Sequence, residues 1–131
     1  MLGVSLLYPS GWTAKVDRSR STLYFADSSN TAQVTITITN GSGDLNQYMQ
    51  RQATQLAMTG AKPGDPITFA GTSWQQMQGT MQQSGANYTA TLFATVHGDH
   101  IITLLQLAQQ TVYPEEETAV FAPLRTSLQL A

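Results

Sequence analysis

The run "IITLLQLA", residues 101–108, is apolar at odd and even positions alike, broken only by Thr103 and Gln106. Successive side chains of a strand point to opposite faces, so a strand of this composition buries both. It belongs in the centre of a sheet, with other elements packed over it. A second stretch, "QVTITIT" at 33–39, has the opposite character. Val34, Ile36 and Ile38 face one way and Thr35, Thr37 and Thr39 the other. All are β-branched and suit a pleated, half-buried surface.

Around these two anchors the chain reads as short strands with one helix in the middle and one at the end. Residues 3–8 form a short strand ending at Tyr8-Pro9, and Ser10-Gly11 supplies turn chemistry. Trp12, Ala14 and Val16 alternate with Thr13, Lys15 and Asp17. Arg18 to Ser21 turns the chain, Thr22 to Ala26 is a third strand, and residues 27–30 are a loop. After "NGSGD" the period changes. Asp44 is an N-cap with Gln47 three residues on, and Leu45, Tyr48, Met49, Ala53, Leu56 and Ala57 make a stripe at helical spacing. Gly60 is expected to stop this helix, with Pro63 and Pro66 in the loop beyond. Strands follow over 67–83 around Ala70-Gly71-Thr72. Another runs from Tyr88 to His97, with hairpin connections at 83–87 and at the Gly98-Asp99 pair. The closing helix starts near Tyr113, with Pro114 at its first position and Glu115, Glu116 and Glu117 at the positive end of its dipole. Pro123 predicts a kink or restart. The order of elements defines an α+β domain: an antiparallel β-sheet flanked by helices, occupying residues 1–131 as a single unit.

Only 11% of residues are charged, against about 25% in a typical soluble domain. The polar surface is built instead from 18 Thr and 14 Gln, with 2 Lys. Nucleic acid is not an expected partner, since Lys15, Arg18 and Arg20 are the only basic cluster and Asp17 sits inside it. The absence of cysteine removes disulfides, thiolate catalysis and Cys-based zinc sites. No apolar run reaches the ~18 residues of a membrane span, and no basic segment precedes an apolar one as in a signal peptide. The Thr/Gln/Ser-rich, Lys-poor composition leans towards an extracytoplasmic bacterial protein. The abrupt start inside a strand points to a domain excised from a longer chain, tethered to a membrane by an upstream anchor.

Few residues carry chemistry. His97, Asp99 and His100 hold ligand-type atoms, but they flank a hairpin turn where side chains splay into water, and zinc needs three or four converging ligands. No nucleophile elbow "G-x-S-x-G", "GxGxxG" or "GxxxxGK" occurs. The dense acids Glu115–Glu117 are accounted for by a helix N-terminus rather than by a pair in a cleft. The chain therefore reads as non-enzymatic, with no cofactor and no metal. Trp74, Met77, Met81 and Tyr88 are the candidate binding residues, lining an apolar groove between hairpin and helix. The competing reading makes them ordinary core between sheet and helix. The glutamines around them (Gln75, Gln76, Gln78, Gln82, Gln83) form a polar outer face suited to uncharged hydrogen bonding.

The whole pattern resembles the PsbP-like superfamily, which includes the extrinsic PsbP protein of photosystem II, a yeast Ran-binding protein and many bacterial lipoproteins and DcrB-like domains. "YPSGW" resembles the opening "YP-x-x-W" strand-turn, and "LNQYMQRQATQL" stands where the first helix lies. "FAGTSWQQMQGTM" resembles the Gly-plus-aromatic hairpin, and residues 97–130 the closing strand, helix and "S-L" end. The resemblance covers nearly the whole chain and implies a PsbP-like α/β/α sandwich. It makes "YPSGW" an edge hairpin that seats Tyr8 and Trp12 in the ends of the sheet. Two family features are not matched: residues that contact a photosystem metal cluster, and an acidic surface for Ran, since 8 acids are spread along the chain. The functional expectation is an accessory domain that acts by contact with an unidentified protein partner. The alternative is a carrier of a small apolar ligand between sheet and helix.

Overall fold

The structure, a computed structural model, describes residues 4–5, 11–28, 31–41, 44–83 and 85–130. In chain order these form β1 (Val4–Ser5), β2 (Thr13–Asp17), β3 (Thr22–Ala26), β4 (Ala32–Asn40), α1 (Leu45–Gln55), β5 (Thr59–Phe69), β6 (Thr72–Gln83), β7 (Ala86–His97) and β8 (His100–Gln109). The chain closes with α2 (Tyr113–Glu116), a π-helical turn (Glu117–Phe121), α3 (Ala122–Ser127) and β9 (Gln129–Leu130). Seven strands lie side by side in the order β2-β3-β4-β8-β7-β6-β5, and every neighbouring pair is antiparallel. β8 takes the fourth, central place, and its residues 101–108 are all buried. The doubly apolar run thus does what its composition requires. β4 seams the two meanders together, pairing along its length with β8 from Ala32–Ala108 to Asn40–His100.

Each face of the sheet carries its own core. On one, Leu23, Phe25, Val34, Ile36, Trp74, Phe93 and Leu104 pack against Phe121, Leu124 and Leu128 of the C-terminal helical arm. On the other, Met49 and Ala53 of α1 pack against Met77, Met81, Tyr88, Leu92, Leu105 and Leu107. This is the α/β/α arrangement that the resemblance to the PsbP-like superfamily implies.

Three local expectations are corrected. β1 pairs with β9 in a separate two-stranded sheet, and it does not form a hairpin with β2. Tyr8, Pro9 and Ser10 lie outside the described residues, while Trp12 packs at the margin of the C-terminal-arm core. α1 ends before Gly60: Ala57 takes the left-handed conformation (φ 58°), its N–H reaches Thr54 C=O at 3.1 Å, and Met58 N–H reaches Ala53 C=O at 2.9 Å. That is a Schellman closure with alanine where glycine is usual. Met58 wins the register because it packs onto the α1 core. Pro63 and Pro66 lie within β5 rather than in a loop. β5 is an edge strand that bonds β6 alone, and its ladder is irregular between Thr59 and Lys62 and between Gly64 and Ile67. An edge with bulges accepts residues that have no N–H to donate. The restart expected at Pro123 is present, since α3 begins at Ala122. The preceding π turn, with Ala122 N–H bonded to Glu117 C=O, widens the ladder and sets Pro123 in the first turn of α3, where a missing donor is harmless.

Candidate functional site

The register of β6 separates the four residues expected to line one groove. Trp74 is even-numbered and points to the C-terminal arm; Met77 and Met81 are odd-numbered and point to α1. Trp74 is fully buried, stacks on Phe69 at 4.5 Å, and donates its indole N–H to Phe69 C=O at 3.0 Å. Met77, Met81 and Tyr88 are brought together, with Tyr88 directly opposite Met81, and the space between them and α1 is filled by Met49 and Ala53. All four are core residues in this conformation. His97 and His100 pair across the Gly98-Asp99 turn, both exposed, and no group of three or more metal-binding side chains is found among the described residues.

The densest polar chemistry lies elsewhere, beneath the π turn. Gln106 interrupts the apolar run of β8 on the face covered by the C-terminal arm. Its Nε2 donates to the Tyr113 hydroxyl at 2.7 Å and to Glu117 Oε1 at 2.8 Å. Arg125, only 7% exposed, donates to Gln106 Oε1 at 2.6 Å and grips both oxygens of Glu117 at 2.7 and 2.8 Å. Its guanidinium lies 5.0 Å from the centre of the Phe93 ring and 5.9 Å from that of Phe69. Tyr113 shares a 2.6 Å hydrogen bond with Thr91, which also accepts from Gln78 Nε2 at 3.1 Å. A chain of partners thus runs from β6 through β7 and β8 into the helical arm.

Partial burial pushes the Glu117 carboxyl up, but the hydrogen bonds from Arg125 and Gln106 and the Arg125 charge outweigh it and hold it below the usual carboxylate range. A carboxylate so engaged is a poor base. The network's chemistry is that of a clamp between arm and sheet. Next to it, burial raises the Glu116 carboxyl, helped by the negative charges of Asp27 and Glu115. In the sequence Gln106 stands out only as an exception to an apolar run, and nothing local marks Arg125. The available signal was the exception itself, because a polar side chain at the centre of a doubly buried strand must find partners.

Among the described residues, one half-face of the sheet is left open. The α1 core draws only on β6, β7 and β8 within the sheet, apart from residues at the start of β5. Over β2, β3 and β4 the same face presents Lys15, Tyr24, Gln33, Thr35 and Thr37, with Tyr24 37% exposed and the β4 side chains partly so. Apart from Lys15 and Asp17 on the edge strand β2, this surface is uncharged, and it offers hydroxyl and amide groups for hydrogen bonding.

No family model and no curated protein matches the chain. Solved structures do. Cyanobacterial PsbP (CyanoP) from Synechocystis is 14% identical, with a TM-score of 0.63 over 98% of this chain and 87% of that one. The Ran-binding protein Mog1p of Saccharomyces cerevisiae is 9% identical, with a TM-score of 0.64 over 98% and 90%. A Bacteroides thetaiotaomicron protein is 16% identical, with a TM-score of 0.66 over 98% of this chain and 45% of that one, so the chain spans less than half of that structure. The fold is the PsbP-like one.

Proposed function

We propose that this chain is a non-catalytic accessory domain that works by docking a protein partner on the open half-face of its sheet. The observation that carries the reading is the contrast between the two halves of that face. α1 seals β6–β8, while Tyr24, Gln33, Thr35 and Thr37 on β3 and β4 stay accessible and uncharged. Such a surface favours shape and hydrogen bonding over electrostatic steering. One protein of the same fold is a Ran-binding protein, which supports contact with protein as the mode of action. The Thr/Gln-rich, Lys-poor composition supports an exported domain, and the proposal adds a membrane tether to it. Among the described residues, no helix is long and apolar enough to cross one.

A photo-crosslinking residue at position 35, introduced into the native protein in its own cells, tests the reading. It should yield one dominant protein adduct, absent when the crosslinker replaces Gln50 on the outer side of α1, and lost with Tyr24→Glu. Equal labelling from positions 35 and 50 would remove the half-face from consideration. Fractionation of the same cells tests the tether.

A further inference from the structure

We propose that two copies of this chain pair edge to edge through β2, antiparallel and centred on Val16, joining their sheets across a twofold axis. The inference does not rest on the docking reading. The two edges of the sheet are built differently. β5 is guarded by Pro63, Pro66 and two ladder irregularities. β2 is a regular five-residue strand without proline or bulge, and among the described residues nothing pairs with its outer side. A regular edge without proline or bulge is a template for another strand, and its two charges then decide the register.

Which groups face outwards follows from the ladder. Ile38 donates its N–H to Ser21 C=O at 3.0 Å, so by the alternation of antiparallel pairs Leu23 and Phe25 bond β4, and Thr22, Tyr24 and Ala26 bond β2. Their partners Asp17, Lys15 and Thr13 are thereby used, and the N–H and C=O groups of Ala14 and Val16 point away from the sheet. Val16 is also 48% exposed, the largest value among the exposed large apolar side chains of the described residues.

Charge then selects the register. Centred on Val16, the strand sets Val16 against Val16 as a hydrogen-bonded pair and each Lys15 against the other copy's Asp17. Centred on Lys15, it would set lysine against lysine. Cross-strand pairs of opposite charge are favourable and like pairs unfavourable. Asp17 has the capacity: Oδ1 is taken by Ser19 and Arg20 in the turn, while Oδ2 has only a 3.8 Å contact with an Arg20 side chain that is 76% exposed.

The test uses the purified chain. Sedimentation should show a concentration-dependent species of twice the 14.2 kDa protomer. The sequence has no cysteine, so Val16→Cys should cross-link to itself under mild oxidation. Ala14→Cys, displaced by about 13 Å from its own copy in this register, should link at least about tenfold more slowly. Lys15→Asp and Asp17→Lys, each checked for native circular dichroism, should dimerise at least about tenfold more weakly alone and recover when mixed, because the mixture restores both opposite-charge pairs. A chain that stays monomeric to millimolar concentration, equal cross-linking at positions 14 and 16, or no recovery on mixing would overturn the proposal.

Discussion

Arg125 shows how much one side chain is made to hold. It satisfies Gln106 and Glu117, lies against two phenylalanine rings, and sits under the helical turn that carries Phe121 and Leu124. Removing it strands the Gln106 carbonyl and a carboxylate. A fully buried pair broken this way costs about 3–5 kcal/mol, and because the Glu117 side chain is 35% exposed we expect Arg125→Ala to cost about 2–4 kcal/mol in urea unfolding. The acids beside it titrate with opposite signs. Glu117 is held below its ordinary value, so its contribution is complete above that value and is lost as pH falls through the lowered one. Glu117→Gln should therefore flatten the acid limb of a stability–pH curve. Glu116 is raised, with Oε2 buried and without a hydrogen-bond partner, so it weakens the fold as pH rises from the ordinary value through the raised one. Glu116→Gln should raise the unfolding midpoint at pH 7 and leave it unchanged at pH 3.

At the scale of elements, two backbone positions invite direct tests. Ala57 closes α1 in a conformation that suits glycine, so Ala57→Gly should stabilise the chain by about 0.5–1 kcal/mol, read as a shift in denaturant midpoint. Gly79 does the reverse. A Cβ there would meet Ala61 Cα and Thr59 O at 3.0 Å, both backbone atoms of the first irregular stretch of β5. Gly79→Ala should cost about 1–3 kcal/mol and loosen β5, seen as faster hydrogen exchange along that edge. These elements also show what the sequence reveals and what it hides. The strands over Thr22–Ala26 and Ala32–Asn40, the capping Asp44 and the central place of β8 were legible, because each is written in local periodicity or a capping side chain. β5 was only partly legible, since its prolines are tolerated through edge position and bulges, which no local pattern encodes. The clamp was hidden for the same reason: Gln106, Glu117 and Arg125 meet only after sheet and arm have packed. The expected groove failed as a single site because Trp74 and Met77 differ in parity, a property of the strand that a list of apolar residues ignores.

The whole molecule is a sheet with two cores that share β7 and β8 as a common wall. Phe93 and Leu104 serve one side, Leu92 and Leu105 the other. Damage on either side should therefore destabilise the entire chain rather than one layer. Phe121→Ala should cost about 3–5 kcal/mol and Met49→Ala about 2–5 kcal/mol, each with a single coincident transition by calorimetry and by Trp fluorescence. Two separated transitions in either variant would show that the layers melt independently. The seam between β4 and β8 has a further consequence, for the moment of synthesis. Its partners lie 60 (Asn40 to His100) to 76 (Ala32 to Ala108) residues apart in the chain. A ribosome adding about 5–20 residues per second leaves β4 waiting for several seconds before its neighbour emerges. During that interval the edge of β4 that β8 will occupy has no partner from its own chain, so the sheet can close only late in synthesis.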